Sequence, residues 1–219
     1  MTKEAPLGRP FVLRTQGHLV VDRVDGRLGR VGVGRRVGRG SAIIRRMPVS
    51  ETNSKLVYEA LKGAGVRLVS ALPETWLVHL IRMAEEDPEM ILVRLAKEEE
   101  GVGLSMGAHL AGMKSAMLMQ NHGLFAAING IVSGAMLYRI PLVMLISDRG
   151  HLGERDPWQT EGGKYTRRVL DALGIVRDQL EAPEDVDGRV SNAVTLAQAS
   201  LSPVALLLDR GLMWEEPVP

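Results

Sequence analysis

Short apolar segments alternate along this chain with segments that have the residue spacing of amphipathic helices. The alternation begins at Ser50 and runs to Asp209. A segment such as residues 142–146 (LVMLI) is apolar at every position, which is typical of a strand buried on both faces. Strands that alternate with helices through short loops predict one doubly wound α/β domain, with a mainly parallel six-stranded sheet and helices on both faces.

The spacing of the apolar residues gives each segment its bounds. Strands are predicted over residues 66–72, 90–95, 115–120, 141–147, 175–180 and 204–209. Helices are predicted over residues 51–63, 74–86, 98–112, 124–138, 160–173 and 183–199. These elements place the domain at residues 47–212 and leave a short C-terminal tail, residues 213–219.

The first 46 residues differ from the rest in charge and composition. They carry eleven Lys and Arg against three acids, a net charge of +8, whereas residues 47–219 carry a net charge of −7. The arm is rich in Gly and Arg and has no periodic apolar face, so we expect it to be disordered, or untranslated if Met47 is the initiator. A basic arm is also typical of proteins that bind nucleic acid or a membrane surface, and this alternative depends on the arm alone.

Composition excludes several kinds of site. The chain has no cysteine, which excludes disulfides, thiolate metal sites and a cysteine nucleophile. No apolar run approaches the roughly 20 residues that cross a bilayer. We therefore expect a cytoplasmic protein with neither a membrane nor nucleic acid as its partner.

Candidate functional residues concentrate in the loops that follow the predicted strands. Ligands of doubly wound sheets bind at the carboxyl ends of the strands, here residues 72–75, 96–100, 120–124 and 147–159. The most informative loop places Glu98 at the end of a strand and the start of a helix, nine residues before Gly107. Acids in a first helical turn commonly just complement the helix dipole, and this is our interpretation of two of the three acids in residues 98–100.

Several segments, taken together and in this order, resemble the pyrimidine-binding domain of thiamine diphosphate enzymes. They are Ala71-Leu-Pro-Glu-Thr75, Glu98 with Gly107, Met119-Gln-Asn-His-Gly-Leu124, Arg149-Gly150, Gly153-Glu154 and Leu170-Asp-Ala-Leu-Gly-Ile175. The resemblance covers about residues 50–210. It is strongest to the alpha subunits of sulfopyruvate decarboxylase, which are closely allied to phosphonopyruvate decarboxylase.

This resemblance implies an enzyme subunit that decarboxylates a small anionic 2-oxoacid with thiamine diphosphate. In that family a Gly-Asp-Gly motif with a downstream Asn holds the diphosphate through Mg²⁺, and this sequence has no such motif. The resemblance therefore implies that a beta subunit binds the diphosphate and Mg²⁺, that this chain ligates no metal, and that the active site is incomplete in this chain alone. A higher oligomer is expected.

The resemblance also implies roles for individual residues. Glu98 would hydrogen-bond to N1′ of the cofactor's pyrimidine ring and share its proton. The implied catalytic residues are Glu98, His122 and Glu74; the implied cofactor contacts are Glu98, Pro73, Gln120 and Asn121; the implied substrate contacts are Asn121, His122, Arg149 and His151. Of these, Arg149 would pair with a sulfonate or phosphonate group.

Three departures from the family pattern leave the substrate open. Glu74 stands in place of an aspartate, and Thr75 and His122 in place of serines. Phosphonopyruvate decarboxylase, or another 2-oxoacid decarboxylase or carboligase subunit, is an alternative function. A non-catalytic binding module that keeps the fold is an alternative of a different class.

Overall fold

A computed structural model describes residues 48–215 of the chain. The expectations for residues 1–46, and the last four residues of the predicted tail, lie outside these described residues. The start and end of the described segment pair with each other, since Val49 bridges Trp214 and the Ser50 N–H donates to the Met213 carbonyl. Ser50 also caps the first helix, because its side chain accepts a hydrogen bond from the Asn53 N–H.

Six strands and seven α-helices make up the described part of the chain. The strands are β1 (Val66–Ala71), β2 (Ile91–Arg94), β3 (Lys114–Gln120), β4 (Leu142–Ser147), β5 (Val176–Leu180) and β6 (Pro203–Leu208). The helices are α1 (Glu51–Gly63), α2 (Val78–Glu86), α3 (Glu98–Leu110), α4 (Asn121–Gly130), α5 (Pro157–Ala172), α6 (Val186–Ser200) and α7 (Arg210–Met213). None of the helices within residues 48–215 combines the length and the apolar character that a membrane span requires.

All six strands are parallel and lie in the order β2-β1-β3-β4-β6-β5. From β1 the chain continues to β2 at one edge of the sheet, and from β3 it continues to β4 in the opposite direction across the sheet. The connections that follow β1 and β3 therefore diverge, and they leave a crevice between the carboxyl ends of these neighbouring strands.

Helices cover both faces of the sheet, so the central strands β1, β3, β4 and β6 are largely buried on both sides. The edge strands β2 and β5 are partly exposed. Along β3, Leu118 packs into a core formed with α1, α2 and α6, whereas Met117 and Met119 pack into a second core formed with α3, α4 and α5. β4 alternates in the same way. The predicted doubly wound α/β fold is confirmed.

Several predicted element bounds are wrong, and the differences have local causes. The second helix begins at Val78 instead of residue 74, because the Glu74 carboxylate accepts the Trp76 N–H and forms a turn. The fourth begins at Asn121 directly after β3, and π-helical residues Ile131–Met136 follow it. The fifth begins at Pro157, a residue that fits the first helical position because it needs no N–H acceptor.

Candidate active site

Glu98 is the first residue of α3, and its side chain lies against the start of α4. The residue is only 6% exposed. A Cβ atom built on Gly123 would lie 2.7 Å from Glu98 Oε1, so only glycine leaves room for this carboxylate. Among the described residues, none forms a hydrogen bond or ion pair with it. A buried carboxylate without partners is uncommon in proteins and points to a ligand.

The two acids that follow Glu98 are engaged within the chain. Glu99 accepts hydrogen bonds from Lys97 and Asn129, which lower its pKa. Glu100 accepts the backbone N–H groups of Ala96 and Lys97 and so caps α3. Glu98 is therefore the one acid of this turn with a carboxylate that the described residues leave unpaired.

Glu74 lies buried in the turn that follows β1. Its side chain is 6% exposed, Oε2 accepts the Trp76 N–H at 2.9 Å, and Oε1 lies 3.8 Å from the Arg149 guanidinium. Burial raises the pKa of Glu74 to about 7, although Arg149, the Trp76 N–H and the Ser147 hydroxyl act in the opposite direction. A carboxyl group with this pKa holds a proton for part of the time near neutral pH.

Arg149 follows β4 by two residues, and its side chain is buried among carboxylates. It donates to both oxygens of Glu154 at 3.0 and 3.1 Å and to Asp156 at 2.6 Å. Burial acts to raise the pKa of Glu154, but the bonds from Arg149 and from the Asp156 and Gly150 N–H groups lower it to about 2. The guanidinium thus holds its own loop together, and its contact with a substrate anion stays a prediction.

Asn121 and His122, the first residues of α4, differ in their surroundings. The Asn121 side chain is fully buried: it donates to Thr166 at 2.9 Å and to Asp148 at 3.4 Å, and it accepts the Arg149 N–H. His122 is partly exposed and packs edge-on against Phe125. No described residue hydrogen-bonds to the ring of His122, so both of its nitrogens are left for a ligand.

Two further predicted contacts lie at the same edge of the sheet. Gln120 ends β3, and its side-chain oxygen accepts the Gln159 amide at 3.1 Å. The buried Gln159 Oε1 has no hydrogen-bond partner among the described residues. Pro73 is exposed in the turn after β1. The structure thus brings Glu98, Gln120 and His122 to the end of β3, and Glu74 and Arg149 to the neighbouring loops.

Sequence reasoning missed a polar network beside these residues, centred on Asp148. Asp148 is the first residue after β4, and its buried carboxylate contacts His151 and Arg167 at 2.8 and 2.6 Å. Its position directly after a strand is the same signal that singled out Asn121. His151 and Arg167 line a cavity of about 600 Å³ over the ends of β4, β5 and β6.

Comparisons with known proteins identify the family. Residues 51–170 match the model of the thiamine pyrophosphate enzyme, N-terminal TPP binding domain. The chain belongs to the thiamine pyrophosphate enzyme family. The family predicted from the sequence motifs is thereby confirmed, and with it an enzyme subunit of the thiamine diphosphate class.

Individual relatives refine this assignment. The chain is 35% identical over 162 residues to the sulfopyruvate decarboxylase subunit alpha of Methanococcus maripaludis, which spans 74% of this chain and 96% of that subunit. It is 29% identical over 163 residues to the phosphonopyruvate decarboxylase of Streptomyces viridochromogenes, spanning 72% of this chain and 40% of that protein. A 2-oxoglutarate:ferredoxin oxidoreductase from Magnetococcus marinus shares the fold, with a TM-score of 0.54 and 20% identity over 77% of this chain and 30% of that one.

The residues at the end of β3 fit a thiamine diphosphate pyrimidine. Glu98 supplies an unpartnered, buried carboxylate, and Gly123 provides the space in which it lies. Residues 48–215 contain no cluster of three or more His, Asp or Glu side chains that could hold a metal ion.

Proposed function

We propose that this chain is the alpha subunit of a two-chain sulfopyruvate decarboxylase, which converts sulfopyruvate into sulfoacetaldehyde and CO₂. Two comparisons support this proposal. The chain matches almost the full length of an alpha subunit but only 40% of a phosphonopyruvate decarboxylase. The observation that carries the proposal is the buried, unpartnered carboxylate of Glu98 against Gly123.

Thiamine diphosphate, when bound, supplies the electron sink that a 2-oxoacid decarboxylation requires. Glu98 would hydrogen-bond to N1′ of the pyrimidine and share its proton. Its burial would keep water away from this hydrogen bond.

Glu74, His122 and His151 are the groups of this chain that orient the substrate and exchange protons with it. Glu74 is suited to donate, because its pKa of about 7 leaves it partly protonated near neutral pH. His122 and His151 are partly exposed. Both would therefore be accessible to the substrate.

Asn121 and Arg149 act mainly as supports for these residues. Both side chains are buried, and their polar atoms are engaged by neighbouring groups of the chain. They hold the loops after β3 and β4 together, while Gln120 and Pro73 border the cofactor. Support of this kind keeps reacting groups in place before the substrate binds.

A beta subunit completes the site by holding the diphosphate through Mg²⁺, and the two chains form a higher oligomer. The purified chain alone should therefore bind thiamine diphosphate feebly and decarboxylate nothing. Calorimetry tests this directly: tight, magnesium-dependent binding by the chain alone would overturn the two-chain proposal.

The substrate is tested in the complex with the beta subunit. Sulfopyruvate and phosphonopyruvate are supplied separately, and the CO₂ released from each is measured. Faster turnover of sulfopyruvate supports the proposal. Preference for phosphonopyruvate would favour the second candidate, which the match to the Streptomyces enzyme supports. Absence of turnover with either would favour a non-catalytic module.

A further inference from the structure

His151 and Asp148 form a hydrogen-bonded pair beside the candidate site residues that follow β3 and β4. His151 Nε2 lies 2.8 Å from Asp148 Oδ1, and the Asp148 side chain is completely buried. The other carboxylate oxygen accepts from Arg167 at 2.6 Å, and Arg167 is itself held by the Gln179 side chain at 2.7 Å. The position of the carboxylate is therefore fixed from two directions.

These contacts determine which ring nitrogen of His151 carries the proton. A carboxylate paired with an arginine can only accept, so the nitrogen facing Asp148 must be Nε2–H. Arg167 Nη1 lies 3.3 Å from the same Nε2 and can also only donate, so the two contacts compete for this nitrogen. The contact to the Asp148 carboxylate is shorter, at 2.8 Å, and decides for Nε2–H. The contact with Asp148 therefore favours the tautomer in which Nε2 carries the hydrogen and Nδ1 does not.

Nδ1 is the nitrogen left for a ligand. No described residue hydrogen-bonds to it, and the His151 side chain, at 34% exposure, lines the 600 Å³ cavity. The cavity adjoins the rest of the site, because Asp148 also accepts from Asn121 at the start of α4. The next residue, Arg149, lies 3.8 Å from Glu74.

We propose that Asp148 and His151 form a proton-transfer dyad, in which His151 Nδ1 is the catalytic atom and Asp148 is a positioning residue. This inference rests on the proposed decarboxylase function. Decarboxylation of a 2-oxoacid to an aldehyde breaks a carbon–carbon bond, and the electron pair left behind takes up one proton to form a carbon–hydrogen bond. Nδ1 takes that proton from water, the buried Asp148 carboxylate stabilises the resulting imidazolium, and the ring returns to its neutral form when the proton is delivered.

The tautomer is measured on the full chain without cofactor or partner. Nitrogen-15 NMR distinguishes protonated from unprotonated ring nitrogens, and His151→Gln identifies the signals among the five histidines of the chain. In the parent chain, at a pH where the ring is neutral, Nε2 should carry the proton and Nδ1 should not. A protonated Nδ1 in the parent chain overturns the proposal without any further variant.

Asp148→Asn should invert the tautomer. Arg167 can only donate, so the oxygen of the new amide faces Arg167. The NH₂ group of the amide then faces His151 Nε2, and the ring proton moves to Nδ1. Asp171→Asn is the matched control, since this exposed aspartate pairs with Arg177 at the far end of α5. A folded Asp148→Asn chain that keeps the parent tautomer would contradict the role given to Asp148.

Turnover in the complex with the beta subunit tests the catalytic role. His151→Gln and Asp148→Asn should each lower the rate of sulfopyruvate decarboxylation by about 100-fold or more, as expected for loss of a positioned acid–base group, while Asp171→Asn keeps the parent rate. If the parent complex is active and His151→Gln is equally fast, the dyad is wrong and the proposed function stands. If the parent complex decarboxylates neither 2-oxoacid, the proposed function fails, and the catalytic role of the dyad fails with it.

Discussion

Two buried carboxylates at the same edge of the sheet, Glu98 and Asp148, have opposite surroundings. Asp148 is contacted by Asn121, His151 and Arg167, and its charge is balanced within the chain. Glu98 is also buried, at 6% exposure against 1% for Asp148, but no described residue pairs with it. A buried charge without a partner destabilises a fold, so its presence is best explained by what it binds. The Asp148 side chain is thus engaged within the chain, whereas the Glu98 carboxylate is left available to a ligand.

The largest effect is expected at Glu98. Glu98→Gln keeps the size and the hydrogen-bonding capacity of the side chain but cannot share a proton with N1′. In the complex, exchange of the C2 proton of bound thiamine diphosphate should slow by about 100- to 10,000-fold. Rapid quenching followed by NMR measures this rate.

Glu100→Gln is the matched control, because Glu100 only caps α3. It should slow the exchange much less than Glu98→Gln. If the Glu100 variant is impaired and the Glu98 variant exchanges at the parent rate, the catalytic carboxylate has been placed wrongly.

Glu74 should make the stability of the fold depend on pH. Its pKa rises from 4.5 to about 7 on folding, so the folded state binds the proton more tightly than the unfolded chain. The resulting stabilisation is complete below pH 4.5 and is lost as the pH rises through 7. As the pH rises from 4.5 to 7, the free energy of unfolding should fall by roughly 3 kcal/mol more in the parent than in Glu74→Gln.

Urea denaturation at several pH values measures this difference. Glu161→Gln, at an exposed position of α5, should follow the parent curve. Parallel curves for the parent and Glu74→Gln would show that the carboxyl group titrates normally.

Gly123→Ala tests whether the space around Glu98 matters as much as its charge. The added methyl group would lie 2.7 Å from Oε1 and would push the carboxylate out of place. A displacement of about 1 Å can cost about 100-fold in rate, and a loss of that order is expected in C2 proton exchange. Gly188→Ala adds a methyl group to α6 where no atom lies within 4 Å, and it should leave the rate unchanged.

The free energies of unfolding of two variants distinguish the surroundings of Asp148 from those of Glu98. Asp148→Asn removes a charged partner from Arg167 and His151 and should lower the free energy of unfolding by about 2 kcal/mol. Glu98→Gln replaces a buried carboxyl group that no described residue pairs with, and it should not lower the free energy of unfolding. Equal losses in the two variants, measured by urea denaturation, would show that Glu98 has a partner within the chain.

The smallest effect is expected from removal of the arm. A shortened chain that begins at Met47 keeps the pairing of Val49 with Trp214 and the Ser50 cap of α1. Its melting temperature and its assembly with the beta subunit should match those of the full chain. A chain that begins at Glu51 loses these contacts and serves as the comparison, and a large loss of stability on starting at Met47 would contradict the expectation for the arm.

The fold and the choice of Glu98 were accessible from the sequence, because both depend on patterns that are local or regularly spaced. Apolar strands alternating with amphipathic helices determine a parallel sheet, and a parallel sheet determines the edge at which its loops meet. The resemblance to the pyrimidine-binding domain, in which an acid opens a helix nine residues before a glycine, singled out Glu98 as the carboxylate that the described residues leave unpaired.

Only the tertiary structure decided which polar residues engage one another. Arg149 has the sequence context of an anion-binding residue, but chain folding brings Glu154, Asp156 and Glu74 around it. Asp148 stands directly after a strand, but the sequence does not show its pairing, since its partner Arg167 lies 19 residues away on a different element. Periodicity fixes which face of an element is buried, but the pairing of charges depends on distances between elements, and these exist only once the sheet and helices have packed.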